Sequence, residues 1–322
     1  MKSPVHVVCA TNSGYIMPLS VTLASLVDNF DPQRDLVIHI ISNDASDQDR
    51  ENVRASIELN RPNLDHIEVQ WYSYDPSLLS SVPLLTYFTL DTYSRLLAPL
   101  LLPESCEKVI YLDCDLIILK DISKLYDSIT DNALIHAAQD IATPFVSTRL
   151  GVFDYRERGI PADTVYFNAG VMVLNFKKWR ELNVTQATLD YLARDGSRIH
   201  SQDQGALNAL YYHDRVLMDL RWNQGFDIVF FDLWKQAGHS REEWLRLKKD
   251  PYIIHYSGVK KPWQKGRRGP RYSYFYRYLE KTVFAGSIPH RPYLENIIGF
   301  PAYFQLWRVA RAIPGVIKRR RA

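Results

Sequence analysis

Cysteine is scarce: the chain has 322 residues and only three cysteines. Cys9, Cys106 and Cys114 are an odd number without metal-ligand spacing, which argues against a disulfide framework and for a reducing compartment, the cytosol by default. The GxGxxG turn of dinucleotide-binding folds is missing after the first apolar run, and so is the GxxxxGK(S/T) loop of P-loop enzymes. No apolar run approaches the length that spans a bilayer. Met1 to Thr11 carry one Lys and too short an apolar stretch for a signal peptide, so export is not expected and the Asn183-Val-Thr185 sequon is read as incidental. No internal repeat is visible, and no low-complexity segment precedes the C-terminal tail.

Charge is unevenly spread. The net charge is +3, yet residues 260–322 hold 15 Lys and Arg against Glu280 and Glu295, leaving 24 basic and 34 acidic residues before them. An acidic body therefore carries a basic tail, and such a tail seeks phosphates. The 20 Tyr and 7 Trp suit a hydroxyl-rich or stackable ligand, although most aromatics serve the core.

Apolar runs alternate with helical periodicity. Val5–Ala10, Leu36–Ile41 and Ile67–Tyr72 read as buried strands, separated by helical stretches at about Met17–Val27 and to about Leu59. A short helix at Asp91–Ala98 leads to a strand that ends at Leu112. Further strands are expected at 133–139, 167–176, 216–220 and 252–256, and helices at 123–128, 177–181, 185–194, 201–210 and 271–279. The alternation indicates an α/β fold with a mixed, mostly parallel sheet flanked by helices, whose ligands gather at the strands' carboxyl ends. Residues 141–165 lack periodicity and are a candidate acceptor loop.

The stretch Lys108 to Leu119 is an apolar strand interrupted by Asp113 and Asp115. Residues i and i+2 of a strand share a face, so both carboxylates would point together and could clamp a divalent cation. An Asp-x-Asp triplet also suits a solvated turn. His255 ends another apolar strand; a lone strand-end His is commonly structural, but imidazole is also a good third ligand beside two carboxylates for Mn²⁺ or Mg²⁺. Ser201 would cap a helix and fix Gln202, Asp203 and Gln204 in its first turn. Asp140, at a strand end, suits either acceptor hydroxyls or a turn cap.

Five ordered motifs resemble glycosyltransferase family 8, the retaining nucleotide-sugar transferases that include bacterial lipopolysaccharide galactosyl- and glucosyltransferases and glycogenin. They are Tyr93-Ser-Arg-Leu96, Tyr111-Leu-Asp-Cys-Asp115, Phe167-Asn-Ala-Gly-Val171, Gln202-Asp-Gln204 and His255-Tyr-Ser-Gly-Val-Lys-Lys-Pro-Trp263, within about residues 5–265. The resemblance implies a GT-A fold, a UDP-sugar donor, a glycan or lipid-linked acceptor and Mn²⁺, with Mg²⁺ as the alternative ion. It implies Asp113, Asp115 and His255 as metal ligands. Ala10, Thr11 and Asn12 would line the uridine pocket, and Arg95, Asn168, Gly258 and Lys261 would hold ribose, sugar or diphosphate. Tyr15, Asp113, Cys114, Asp140 and Ala169 complete the substrate-binding set. Asp203 and Gln204 are the implied catalytic pair facing the transferred sugar, where helix capping is the reading without the resemblance.

Two positions depart from the family pattern. Asn12 stands where many bacterial members carry Asp; its amide oxygen still accepts from the uracil N–H, which alters strength rather than base choice. Gly205 stands where some members have a further Asp, which weakens a covalent carboxylate intermediate. Same-face attack by the acceptor is expected instead, with Gln204 and Asp203 stabilising the sugar.

Residues 1–285 are expected to form the catalytic domain and 286–322 a membrane-association segment. Phe304, Trp307, Ala310 and Arg311 fall at helical spacing in that segment. Their mix of aromatic and basic residues suits an interfacial amphipathic helix on an anionic surface; no RNA-binding motif is present and no nucleic-acid partner is expected. The expected location is cytoplasmic, on the inner face of the plasma membrane. A metal-dependent hexosyltransferase competes with a catalytically weak nucleotide-sugar-binding scaffold, and the complete set of metal ligands favours activity.

Overall fold

The computed structural model describes residues 2–83, 91–225, 227–230, 232–258, 260–264, 269 and 271–288. In chain order the elements are β1 (Val5–Ala10), a 3-10 turn (Ser13–Tyr15), α1 (Ile16–Asn29), β2 (Leu36–Ile41), α2 (Asp47–Asn60), β3 (Ile67–Tyr72) and α3 (Asp91–Leu101). β4 (Lys108–Leu112), β5 (Leu116–Ile118), α4 (Ser123–Ser128), β6 (Ile135–Gln139), β7 (Phe167–Asn175), α5 (Phe176–Glu181), α6 (Val184–Asp195) and α7 (Gln202–Leu210) follow. The described chain continues with β8 (Arg215–Leu217), β9 (Gln224–Gly225), α8 (Asp227–Phe230), α9 (Arg241–Lys249), β10 (Ile253–His255) and α10 (Tyr272–Leu279).

Seven strands form the main sheet in the order β3-β2-β1-β4-β7-β6-β8. β4 and β6 both pair antiparallel to β7, while every other pairing in that sheet is parallel, so β7 alone runs against the rest. The chain lays down β1, β2 and β3 outward in one direction and then returns to place β4 on the other side of β1. Such a reversal opens a crevice at the carboxyl ends of the two central strands.

The continuous apolar runs of the central strands follow from burial on both faces. Val5, Val7 and Cys9 of β1, Ile110 and Leu112 of β4, and Val171 and Val173 of β7 pack with α1 and α2. The alternate residues Val8, Val109, Tyr111, Met172 and Leu174 pack with α3, α5, α6 and α7. α2 begins with a capping box in which Ser46 and Asp49 satisfy each other's backbone amides.

Three expectations change. The strand expected to end at Leu112 does so as β4, but the apolar run beyond the carboxylates does not continue it: β5 joins β10 and β9 in a second, three-stranded sheet. The strand expected at 216–220 stops at Leu217, because the Asp219 carboxylate accepts from the Arg221 amide and opens a 3-10 turn over Leu220–Asn223. Ser201 makes no side-chain cap to α7, and Gln202 takes a left-handed φ of 48° there. The tail expected to bind membrane lies outside the described residues from 289 onward. Among the described residues, no helix is long and apolar enough to cross a membrane.

The passage from β4 to β5 is held from below by α1, which is buried nearly all round. Thr22 Oγ1 lies 2.9 Å from both the Cys114 and Leu116 carbonyl oxygens and accepts from the Leu116 amide at 3.1 Å. One turn on, Ser25 Oγ accepts from the Ile118 amide at 2.9 Å. These hydroxyls supply partners that a second sheet leaving the first at this point would otherwise lack. Thr22→Val keeps the shape and strips the partners, so unfolding by urea is expected to show a loss of about 1–3 kcal/mol; an unchanged midpoint would remove this account of the junction.

Candidate functional site

The crevice at the ends of β1 and β4 is a cleft of about 1010 Å³. Every residue expected in the site lines it: Ala10, Thr11, Asn12, Tyr15, Arg95, Asp113, Cys114, Asp115, Asp140, Asn168, Ala169, Asp203, Gln204, His255, Gly258 and Lys261. The elements set their positions. Ala10 ends β1, and the Thr11 amide still bonds Ile41 O at 2.9 Å before the chain turns at Asn12. Tyr15, on that turn, meets Trp263 edge-on at 5.7 Å.

Asp113 follows β4 directly, and its amide bonds Gly170 O at 2.9 Å. The second sheet then brings the distant histidine alongside: β10 runs antiparallel to β5 with His255 opposite Leu116, and the Tyr256 amide bonds Asp115 O at 3.0 Å. His255 Nε2 consequently sits 3.2 Å from Asp115 Oδ1 and 3.6 Å from Asp113 Oδ2. Donor atoms from the three residues lie within 4.8 Å of one another. A Cβ on Gly170 would fall 2.3 Å from His255 Cε1 and 2.8 Å from Asp113 Oδ2, so only glycine permits this approach.

Asn223 and Gly170 belong to the site but were not in the sequence-derived set. The Asn223 amide donates to Asn168 Oδ1 at 2.9 Å, which leaves its oxygen to accept from His255 Nδ1 at 2.9 Å. The proton is thereby held on Nδ1 and the Nε2 lone pair faces the carboxylates, the arrangement that presents imidazole to a metal. Asn223 precedes a two-residue strand and carries no local pattern that would single it out.

The buried charges are compensated in pairs. Arg95 Nη2 lies 3.1 Å from Asp113 Oδ1 and its Nε 3.0 Å from Asp203 Oδ2, while its guanidinium stacks 4.6 Å from the Tyr111 ring. Tyr111 also donates to Asp113 Oδ1 at 2.9 Å. Lys261 Nζ pairs with Asp115 Oδ2 and donates to Tyr256 O at 2.9 Å. Burial raises the Asp115 carboxyl, but the Lys261 ammonium outweighs it and holds Asp115 well below the ordinary carboxylate range. Asp203 goes the other way: burial pushes it up to about 6, with Arg95 opposing and Asp113 reinforcing the rise.

A second network runs across the cleft. Asp140 Oδ1 accepts from the Ala142 and Thr143 amides, capping the start of the 141–165 loop, while Oδ2 accepts from Asn168 and Gln204 at 3.0 Å each. Gln204 Oε1 in turn accepts from the Ala169 amide at 3.0 Å. Its carboxamide is fixed in orientation with the oxygen toward β7. Gly258 has a φ of +90° and open space around its α-carbon, a conformation that a side chain would strain.

The residues fit a divalent cation. Asp115 Oδ1 is buried, faces His255 without the alignment of a hydrogen bond, and has no hydrogen-bond partner among the described residues. Two carboxylates and one imidazole nitrogen are the hard-to-borderline donors that Mn²⁺ and Mg²⁺ take.

Residues 6–266 match the profile described as Glycosyl transferase family 8. General stress protein A of Bacillus subtilis (strain 168) is 26% identical over 304 residues, covering 93% of this chain and 98% of its own. Lipopolysaccharide 1,2-glucosyltransferase of Escherichia coli (strain K12) is 24% identical over 284 residues, covering 88% and 80%. The crystal structure of galactosyltransferase LgtC in complex with donor and acceptor sugar analogs superposes with a TM-score of 0.72 at 23% identity, covering 90% of this chain and 99% of that one, a likeness of fold.

Two outcomes follow from the charges. Arg95→Ala leaves the buried Asp203 without its cation and takes the charged partner from the half-buried Asp113, with an expected loss of about 3–5 kcal/mol in denaturant unfolding, and Arg95→Lys recovers only part of it because one ammonium cannot span both carboxylates. Asp203, with its folded-state value raised from 3.8 to about 6, contributes stability that is fully present below pH 3.8 and is lost as pH rises through 6. In metal-free protein, Asp203→Asn is expected to flatten the stability profile across that window, and an unaltered slope would rule out Asp203 as its source.

Proposed function

The chain belongs to glycosyl transferase family 8 and is a hexosyltransferase with the GT-A fold, and from that premise we propose a metal-dependent, retaining transfer of galactose or glucose from a UDP-sugar to a glycan or lipid-linked acceptor. The observation that supports this most directly is the meeting of Asp113, Asp115 and His255 on the floor of the same cleft as Lys261 and Gln204. The Escherichia coli relative's name favours lipopolysaccharide or another surface polysaccharide as the pathway.

Asp113, Asp115 and His255 would hold Mn²⁺, with Mg²⁺ as the alternative; bound there, the ion supplies a Lewis acid for diphosphate oxygens and removes the need for a protonating acid. The protein's own groups do the rest. Ala10, Thr11, Asn12 and Tyr15 receive the nucleoside, and Lys261, held charged by Asp115, offers a point charge to the departing UDP. Gln204 is a poor nucleophile, and its carboxamide is tied to Ala169 and Asp140. A covalent glycosyl intermediate of the retaining-hydrolase kind is therefore disfavoured. The acceptor hydroxyl attacks on the face the UDP leaves, while Gln204 and Asp203 position the sugar and Asp140, through Asn168 and Gln204, keeps them in place.

The basic tail supports a peripheral place on an anionic membrane, on the cytoplasmic side, where lipid-linked acceptors are assembled. Residues 286–322 supply seven Lys and Arg for that surface, against Glu295 alone.

A donor screen by UDP-sugar hydrolysis tests the reading. Turnover is expected with one hexose donor, to require Mn²⁺, and to vanish in Asp113→Ala and Asp115→Ala. Lys261→Ala should lower kcat about 10²- to 10³-fold, as for the loss of one preorganised group facing developing charge. Tight UDP binding with no turnover across the screen would instead assign a nucleotide-sugar-binding scaffold.

A further inference from the structure

Toward the amino end of β1, away from the cleft, a second set of ligating side chains meets. His6 stands about 13 Å along the strand from Ala10, at a rise of about 3.3 Å per residue. β1, β2 and β3 are parallel, with Val8 opposite His39 and His39 opposite Gln70, so His6, His39, Gln70 and Tyr72 share one face. The His6 and His39 rings stack with centroids 5.3 Å apart and 17° between their planes, and His6 Nδ1 lies 3.0 Å from His39 Nε2. Cys106, just before β4, brings a thiol to the same place. One donor atom from each of the three lies within 4.8 Å of the others.

The surroundings prepare the two imidazoles as ligands. Tyr72 donates its hydroxyl proton to Gln70, so the hydroxyl oxygen accepts from His39 Nδ1 at 3.1 Å. The His39 proton is thereby held on Nδ1, and the Nε2 lone pair faces His6. This is the outer-shell hydrogen bond that orients metal-bound histidines. Burial pushes His39 down to about 4 and lowers His6, so both rings are neutral at pH 7. The 3.0 Å between their nitrogens is close to the edge of about 3.3 Å that a tetrahedral zinc site requires with Zn–N near 2.0–2.1 Å. His6 is half-buried and gives an ion a way in, while His39 and Cys106 are 2% exposed each.

We propose that His6, His39 and Cys106 form a binding site for a zinc-class ion, separate from the carboxylate site in the cleft. The ion takes the lone pairs of His39 Nε2 and of His6 Nδ1, whose proton moves to His6 Nε2. The Cys106 thiol gives up its proton to solvent and binds as thiolate. One proton leaves per ion bound, and no oxidation state changes. Two imidazoles and a thiolate make a softer set than two carboxylates and an imidazole, so this site selects Zn²⁺ over Mn²⁺ and Mg²⁺. It ties β1 and β2 to the segment entering β4, at the opposite end of the strands from the reaction.

Cobalt titration of the full chain tests this, because a thiolate-to-cobalt charge-transfer band in the near ultraviolet arises only from sulfur ligation. The band is expected in the wild type, in the D113N/D115N variant, and in neither Cys106→Ser nor His39→Gln. Competition with Zn²⁺ should erase it at one equivalent. Tyr72→Phe, which removes only the group that orients His39, should weaken Zn²⁺ about 10- to 100-fold and keep the test open if a ligand variant does not fold. Mn²⁺-dependent transfer by Cys106→Ser should match the wild type. Absence of the band from wild type, its persistence in Cys106→Ser, its loss in D113N/D115N, or unchanged zinc affinity in Tyr72→Phe would overturn the assignment.

Discussion

Two carboxylates one residue apart cannot be buried unless positive charge or hydrogen-bond donors reach both, and the rest of the site is arranged around that constraint. Asp113 is compensated by Arg95 and the Tyr111 hydroxyl, and Asp115 by Lys261. Arg95 is shared: its other side faces Asp203, so α3, β4 and α7 are tied through a single guanidinium. Lys, with one compact ammonium, could serve one of these carboxylates but not both. The opposite shifts of Asp115 and Asp203 express the same constraint, since the first has the Lys261 ammonium at contact and the second has one cation weighed against burial and a nearby anion.

Backbone pairing delivers the third ligand. β5 is only three residues long, yet its antiparallel register with β10 sets His255 beside Asp115 with no freedom for a one-residue slip, which would turn the imidazole to the other face. Gly170 clears the space on β7, and Asn223 fixes the ring's proton. From beneath, the α1 hydroxyls of Thr22 and Ser25 satisfy the backbone where the chain leaves one sheet for the other. A helix buried all round would ordinarily be apolar throughout; here its polar residues serve as backbone partners for the junction.

Much of this was legible from sequence wherever burial on both faces gave long apolar runs. β1, β2 and β3 have the bounds expected of Val5–Ala10, Leu36–Ile41 and Ile67–Tyr72, and the sheet is mixed and mostly parallel. The second sheet was not legible, because strands of two or three residues such as Gln224–Gly225 carry no period, and nothing local marks that the apolar run after Asp115 joins a different sheet from the strand before Asp113. The carboxylates and His255 could be singled out by residue type at strand ends, whereas Asn223 acts through a partner 32 positions away and has no signature of its own. Ser201 misled for a physical reason: the left-handed backbone at Gln202 turns the helix start away from an ordinary cap. Asp140 was left between a turn cap and a substrate contact, and its two oxygens divide, one capping the turn and the other joining Asn168 and Gln204.

The two groups of ligating residues differ in donor chemistry, and the difference matters for which ion each can keep. Zn²⁺ binds most nitrogen and oxygen donor sets more tightly than Mn²⁺ or Mg²⁺, so affinity alone would let zinc compete for Asp113, Asp115 and His255. Those three leave much of the cleft to substrate and are set among oxygen donors, which suits an ion that shares its coordination with diphosphate. His6, His39 and Cys106 instead offer a thiol and two neutral imidazoles on one face of the sheet. Thiolate ligation is strongly preferred by zinc and contributes little for Mn²⁺ or Mg²⁺, so the ions sort by donor type: the soft set at one end of β1 takes zinc, and the carboxylates at the other remain available to the hard ion that phosphate chemistry needs.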